Sequence, residues 1–386
     1  MTADNLGSEL GEAWIEPADT VVAGAYGAWT LTYRAGRHGI APGGRLAVAW
    51  LWPSDWERPQ FNRPAASGYT TLKSSGQCRL TGSFHRDLAL HPWDHVITLT
   101  VANAALHAGE LIEMTLGDTA SGGPGIRAQT FQESVSEFHV LVDPDGSGEL
   151  IALPESPAVR VIGGPARRLV LTAPTDVVVG EPFTVSLRVE DRWNNPSPTY
   201  HGRVTLRLAP DDPGSTYRLR GEDGGVARIP ATLDQPGIFR PVVKDDGGLA
   251  TAGNPIICHA APPRFRRFWG DPHSGQSRAG CGAGSVAEHF HHLRHTAAVD
   301  FGTHQGNCFM VSAADWAETC RITREFNQEG EFVAFLGYEW SGESAVGGDH
   351  NVIFLDDDQP IRRCSHSLLT DLSDVDTDLP HIEDVY

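Results

Sequence analysis

The sequence predicts a multidomain chain in which two N-terminal β-sandwich domains precede the first part of an α/β barrel. Residues 1–261 contain short runs in which apolar and polar residues alternate, separated by Gly- and Pro-rich turns, as in half-buried strands. From residue 262 onward, strand patterns alternate with helical patterns, which is typical of a parallel sheet or barrel. The length of 386 residues suits about two or three domains of ordinary size.

The first domain is expected to cover residues 1–163. Trp29, Leu31 and Tyr33 have the two-residue period of a strand with one buried face. Glycine pairs at 43–44 and 122–123 indicate turns between such strands. The expected strands include residues 46–52, 96–101 and 136–142. This pattern predicts a β-sandwich.

The second domain is expected to cover residues 164–261. Strand patterns follow one another at a spacing of about 8 to 12 residues, which favours an immunoglobulin-like sandwich. The order of strand, glycine turn at Gly180, second strand, Asp191 and Asn195 resembles bacterial immunoglobulin-like modules. Such a scaffold does not specify a chemistry.

The third domain is expected to cover residues 262–386, after the linker AAPP at 260–263. A first strand is predicted at 264–269. A helix follows, because Ser285 and Glu288 form a capping box ahead of an apolar face. The second strand is predicted at 299–303.

A second capping box starts at Ser312 and predicts another helix, which ends before Gly330. A third strand is expected at 332–336 and a fourth at 351–355. Strands and helices in this order predict a parallel α/β sheet or barrel.

Composition excludes several classes of partner. Lys and Arg total 30 against 49 Asp and Glu, and the resulting charge of -19 argues against nucleic acid and anionic membranes as partners. No stretch reaches the ~18 apolar residues of a spanning helix, and no secretory signal is visible, so we expect a cytoplasmic location. The six cysteines form no CxxC pair and are expected to be free thiols.

Polar residues follow each of the first three strands of the third domain. Asp271 and His273 follow the first strand, His304 the second and Glu339 the third. The carboxyl ends of barrel strands face one mouth, where catalytic residues of such enzymes converge. Imidazole and carboxylate groups bind a catalytic divalent metal while leaving a position for water. The spacing therefore predicts a metal site.

Four motifs in this region carry a family resemblance. They are WGDPHSGQS at 269–277, DFGTHQGN at 300–307, LGYEWSG at 336–342 and GGDHNV at 347–352. In this order they resemble the large uncharacterised branch of the polymerase-and-histidinol-phosphatase (PHP) superfamily, over residues 264–386. The resemblance implies a distorted, TIM-like α/β barrel and a metal-dependent hydrolase, mainly of phosphate esters, with carbamate and other esters in related branches.

The resemblance also implies roles for individual residues. His273, His304 and Glu339 would be metal ligands, with Asp271 beside them. The family's second histidine is replaced by Gly275, and the next residue, Gln276, has an amide that is a poorer ligand for zinc than imidazole. Fewer metal ions than the family binds, or a harder ion such as Mn, are therefore expected, with Mn, Zn and Fe as the candidates. The residues expected to orient water or substrate are Gln305, Asp349, His350 and His366.

These observations lead to a hydrolase hypothesis. Glu339, His304 and Gln276 would act in catalysis, and a metal-bound hydroxide would attack a phosphoester, carbamate or carboxyl ester of a small molecule. A complete barrel needs on the order of 250 residues, so a second polypeptide, further sequence or self-association is expected to complete it. The alternative is a non-catalytic binding or assembly protein with a remnant hydrolase domain.

Overall fold

The computed structural model describes residues 8–86, 92–273 and 277–385, and the chain divides into two compact units between Ile162 and Gly163. The division of the chain into three domains stays a prediction. Within the described ranges, no helix combines the length and the apolar character that crossing a membrane would require.

The first unit is built almost entirely from β-strands. Its strands are β1 Gly11–Glu16, β2 Val21–Val22, β3 Tyr26–Gly27, β4 Trp29–Ala35, β5 Arg45–Leu51, β6 Thr70–Ser74, β7 Arg79–His85, β8 Trp93–Ala102, β9 Leu111–Leu116, β10 Ile126–Arg127, β11 Glu133–Glu137, β12 His139–Asp143, β13 Ile151–Ala152 and β14 Ala158–Ile162. The two largest sheets have the orders β1-β4-β9-β6 and β13-β12-β5-β8-β7. Trp56 joins them, because its ring lies 5.0 Å from that of Trp29 on β4 and 6.3 Å from that of Trp50 on β5.

The second unit begins with another β-sandwich. Its strands are β15 Arg168–Thr172, β16 Asp176–Val178, β17 Phe183–Glu190, β18 Gly202–Arg207, β19 Ser215–Leu219, β20 Val226–Ala231, β21 Gly237–Phe239, β22 Val242–Asp245, β23 Ala250–Ala252 and β24 Ile256–His259. Alternate residues Val185, Leu187 and Val189 of β17 are buried with Val204 and Val243 of the facing sheet. This part agrees with the predicted immunoglobulin-like β-sandwich.

The end of the second unit contains the longest helix. The strands here are β25 Gly270–Asp271, β26 Phe301–Thr303, β27 Val333–Phe335, β28 Gly337–Ser341 and β29 Asp349–Ile353, and the helices are α1 Val286–His291 and α2 Ala313–Phe326. A π-helix, His292–Ala297, continues α1, and short 3₁₀ turns lie at Gly221–Asp223, Cys308–Met310, Ser344–Val346, Val375–Thr377 and Ile382–Asp384. Both predicted capping boxes are confirmed, at Ser285 and Ser312.

The predicted fold class is wrong, because the described residues are predominantly β and form no barrel. Strands β25, β26 and β27 do pair in parallel, but each is only two or three residues long. After β27 the single residue Leu336 leads into β28, which is too short a link for a parallel crossover. β28 instead pairs with β29 in an antiparallel hairpin, so the predicted fourth parallel strand is part of that hairpin.

Candidate functional site

The structure brings two of the predicted ligand residues together at the end of the parallel sheet. Asp271 Oδ1 accepts the backbone N–H of His273 at 3.2 Å. Nδ1 of His273 lies 2.6 Å from Oδ1 of Asn351, and its Nε2 lies 3.7 Å from Oε2 of Glu339. Asn351 and Glu339 are direct partners across the β28–β29 hairpin. The hairpin thus places a carboxylate and an amide beside one imidazole.

His304 has a different environment. Its ring is buried, and Nε2 accepts the backbone N–H of Ser277 at 3.0 Å and contacts Oγ of Ser277 at 2.9 Å. Its ring also lies 5.4 Å from that of His289. Burial, with the nearby His289, lowers the pKa of His304 to about 3. His304 is therefore a neutral core residue whose Nε2 is already engaged by Ser277.

The described residues do not fit the metal centre that the PHP resemblance implies. Among residues 8–86, 92–273 and 277–385, no group of three or more His, Cys, Asp and Glu side chains could hold a metal ion. His273 and Glu339 supply two donors, whereas a catalytic zinc site uses about three protein ligands. Gln276 lies outside the described residues. Binding of Mn, Zn or Fe by this chain stays a prediction from the sequence.

The residues expected to orient water or substrate are dispersed. Gln305 is buried, and its amide donates to Oγ1 of Thr303 at 3.0 Å. Asp349 is exposed at the start of β29, and His350 pairs with Trp340, so it faces the opposite side of the hairpin from Glu339. His366 lies between Asp378 and Asp374, at 2.6 and 2.9 Å. It belongs to a separate polar network.

The most exposed aromatic segment of the second unit is one that the sequence analysis took for a strand. Residues 264–269 (RFRRFW) form no strand, which corrects that prediction, and only Gly270–Asp271 pairs with β26. Phe268 is 65% exposed and Trp269 is 63% exposed. Side chains of this size are usually buried, so their exposure in an ordered segment indicates an interaction surface.

Polar contacts anchor this segment to the sandwich and to β26. Arg267 donates from Nε and from its backbone N–H to Oδ2 of Asp176, at 2.9 Å each, and from Nη2 to Oδ1 at 2.7 Å. These bonds outweigh burial and hold the pKa of Asp176 well below its usual range. Nε1 of Trp269 donates to Thr175 at 2.8 Å, and its backbone N–H donates to Asp300 at 2.7 Å.

The anchored segment forms one wall of a groove of about 1040 Å³. We call it the arginine–aromatic groove and define it by Arg228, Arg240, Arg266, Phe268 and Trp269. Its full lining contains five arginines and four carboxylates, although the chain as a whole carries a charge of -19. Sequence reasoning missed this groove, but the run RFRRFW was a usable signal, because it is basic and aromatic within an acidic chain.

Residues 272–381 match a family model described as a protein of unknown function, DUF3604. Similar proteins include an uncharacterized protein of Chlamydia pneumoniae, 23% identical over 320 residues, and one of Chlamydia muridarum, 21% identical over 317 residues. Each of these alignments covers 78% of this chain and 49% of the relative. The chain therefore spans about half the length of the curated relatives it matches.

Solved structures with some similarity include those of two bacterial proteins. The Escherichia coli adhesin FdeC is 14% identical, with a TM-score of 0.29, and the match covers 66% of this chain and 65% of that one. Invasin, a bacterial integrin-binding protein, is 15% identical, with a TM-score of 0.23, and the match covers 66% and 40%. At these TM-scores the likeness supports no assignment of function.

The family match overturns the main functional prediction. It is to DUF3604 and not to PHP, so the resemblance to the PHP superfamily is wrong. The prediction of a PHP-type hydrolase depends on this resemblance and is therefore also wrong. The alternative, a non-catalytic binding or assembly protein, stays a prediction.

Proposed function

We propose that this chain is a non-catalytic binding protein and that the arginine–aromatic groove binds an acidic segment of a partner polypeptide. The observation that carries the proposal is the exposure of Phe268 and Trp269 on a backbone that Asp176 and Asp300 hold in place. Aromatic residues and arginine supply most of the hot spots of protein interfaces. A preorganised aromatic surface also reduces the entropy that is lost on binding.

The charges of the groove favour a partner segment that presents carboxylates, but only a small number of them. Arg228 and Arg240 are exposed and form no salt bridge with any carboxylate in the described part of the chain. Both are therefore available to an acidic side chain. The other lining arginines are partly offset, since Arg267 pairs with Asp176 and Arg294 with Glu331.

A nucleic acid suits this groove less well than a polypeptide. Each strand of a nucleic acid carries one negative charge per ~3.4 Å, which four lining carboxylates would repel. A segment in which acidic and aromatic residues alternate can place its carboxylates at Arg228 and Arg240 and its rings at Trp269. The expectation that the chain binds no nucleic acid is thus part of the proposal, as is its cytoplasmic location.

The test uses the full chain and a short fluorescent peptide in which Glu and Phe alternate. Fluorescence anisotropy should show binding that weakens with added salt, because exposed charges are screened. Trp269→Ala should weaken binding by about tenfold or more, the loss expected of a hot-spot residue. Arg240→Ala should weaken binding and reduce its salt dependence.

Phe265→Ala provides a matched control. Phe265 is exposed in the same segment but does not line the groove, so its removal should leave the affinity unchanged. Equal binding of a Lys–Phe peptide, or equal losses for Phe265→Ala and Trp269→Ala, would contradict the proposal. Stronger binding of single-stranded DNA than of the Glu–Phe peptide would also contradict the proposal. The same holds if sedimentation velocity shows that a second copy of the chain occupies the groove.

A further inference from the structure

Two cysteines that are distant in sequence lie side by side near the end of the chain. Sγ of Cys308 and Sγ of Cys364 are 3.4 Å apart, although 56 positions separate the residues. A disulfide bond requires a separation of about 2.05 Å, so the two sulfurs are in contact but not bonded. All six cysteines are free thiols in this structure.

The surroundings of this pair distinguish its two members. Cys308 is fully buried, and its sulfur accepts backbone N–H groups from Ser341 at 3.4 Å and from Cys364 at 3.3 Å. The Cys308 thiol donates to the sulfur of Cys364, and the Cys364 thiol donates to the carbonyl oxygen of Ser341, which is 3.0 Å away. Cys364 is only half-buried. Cys364 is therefore the more exposed member of the pair, while Cys308 is fully buried and has backbone donors directed at its sulfur.

We propose that Cys308 and Cys364 form a reversible disulfide through exchange with a low-molecular-weight disulfide such as glutathione disulfide. Cys364 is the entry thiol because it is the more exposed member of the pair. Cys308 is the resolving thiol because its sulfur already touches that of Cys364. The hydrogen bonds that a Cys308 thiolate accepts, first that from Cys364, lower the pKa of Cys308 despite burial and favour the thiolate that resolution requires. The neighbouring Cys308 and burial raise the pKa of Cys364, so its greater exposure, and not its acidity, makes it the entry thiol.

The exchange balances in two steps. The Cys364 thiol gives its proton to solvent as its sulfur attacks glutathione disulfide. A Cys364–glutathione bond forms, the glutathione disulfide bond breaks, and the released thiolate takes a proton from solvent. Cys308 then attacks the Cys364 sulfur and gives its proton to the second departing glutathione. In total, two protein thiols are oxidised and one glutathione disulfide is reduced to two thiols.

The disulfide would link two parts of the DUF3604-matched region and would lie against a third. Cys308 begins a 3₁₀ turn, Ser341 ends β28, and Cys364 lies in the segment that follows β29. Asn307 strengthens the same junction, because its amide donates to Oγ of Ser341 at 2.8 Å. Oxidation would thus tie the segment that follows β29 to this 3₁₀ turn, which contacts the hairpin that carries Glu339 through Ser341. This inference does not depend on the arginine–aromatic groove.

The experiment treats the full chain under native conditions with glutathione disulfide, quenches with acid, alkylates the remaining thiols and maps the peptides without reduction. Two of the six thiols should disappear. One cross-linked peptide pair should contain Cys308 and Cys364, and reduced glutathione should restore both thiols. If all six thiols persist, or if another cysteine forms the cross-link, the proposal is overturned.

Single variants test the order of the two steps. Cys308→Ser should accumulate glutathione on Cys364, whereas Cys364→Ser should leave Cys308 unmodified. Cys320→Ser is the matched control, since Cys320 lies in the same hydrophobic cluster as Cys308, and it should still form the cross-link. Glutathione on Cys308 in the Cys364→Ser protein would contradict the assigned order. The wild-type peptide map decides the main claim even if a variant fails to fold.

Discussion

Arg363 and Asp374 form an ion pair with Nη1 and Oδ2 2.7 Å apart, and the Arg363 side chain has no exposed surface. Nε of Arg363 also donates to the carbonyl oxygen of Val311 at 2.8 Å. His366 contacts Asp374 from the other side. Residues 354–385 contain no strands, so this network takes the place of sheet hydrogen bonds in holding the segment against the core.

Arg363→Met should strongly destabilise the second unit. Removing one partner of a buried ion pair costs about 3–5 kcal/mol, and the lower end is expected because Asp374 is 30% exposed. Arg362→Met is the matched control, because Arg362 is half-buried and forms no salt bridge with a described carboxylate. Urea unfolding gives both free energies. Equal losses for the two variants would show that the ion pair contributes little.

Asp176→Asn should loosen the segment 264–269. The side chain of Asp176 is 2% exposed and accepts three hydrogen bonds from Arg267, so the loss of its charge should cost about 1–3 kcal/mol. If the anchoring supports the groove, affinity for the Glu–Phe peptide should fall in parallel. If Asp176→Asn reduces stability but leaves the affinity for the peptide unchanged, the anchoring of the segment does not contribute to binding.

The same carboxylate should make stability depend on acidity. Because the folded-state pKa of Asp176 is depressed, its contribution is present above the unfolded value of 3.8 and is lost as pH falls toward the folded-state pKa. Between about pH 5 and pH 3 the wild type should therefore lose more stability than Asp176→Asn. Urea titrations at both pH values measure the free energy of unfolding of each protein. Equal losses in the wild type and in Asp176→Asn would refute the prediction.

Buried His304 should destabilise the protein as pH falls. Its pKa is about 3 in the folded protein against 6.5 for an ordinary histidine, so between these values only the unfolded chain binds the proton. Stability should fall by up to about 1.4 kcal/mol per pH unit below about 6.5. In the NMR spectrum of ¹³C-labelled protein, the signal of His304, assigned by its loss in His304→Gln, should remain that of a neutral ring at about pH 5. Titration of every histidine near 6.5 would disprove this assignment.

A non-catalytic chain should hydrolyse aryl phosphates, carbamates and carboxyl esters only at the background rate. His304 is engaged with Ser277, and the described residues contain no cluster of three metal-binding side chains. Adding Mn, Zn or Fe should therefore not increase the rate, and Glu339→Ala should match the wild type. A metal-dependent rate that is lost in Glu339→Ala would reject the non-catalytic proposal.

Local features of the fold were predictable because they depend on neighbours in sequence. The two-residue period of β17 and the capping boxes at Ser285 and Ser312 appear in the structure as expected. Asp271, His273, His304 and Glu339 were expected near one another at strand ends. Glu339 does lie 3.7 Å from His273, whereas His304 is buried against Ser277. Periodicity and capping can be predicted without knowing which distant segments meet.

The sequence by itself determined the repeated strand pattern, the positions of the capped helices and the acidic charge that disfavours polyanionic partners. Only the tertiary structure decided the antiparallel pairing of β28 with β29, the burial of His304, the anchoring of Arg267 by Asp176 across 91 positions and the contact of Cys308 with Cys364. These contacts join distant segments. Their formation depends on strand register and on packing in the core, which local periodicity does not specify.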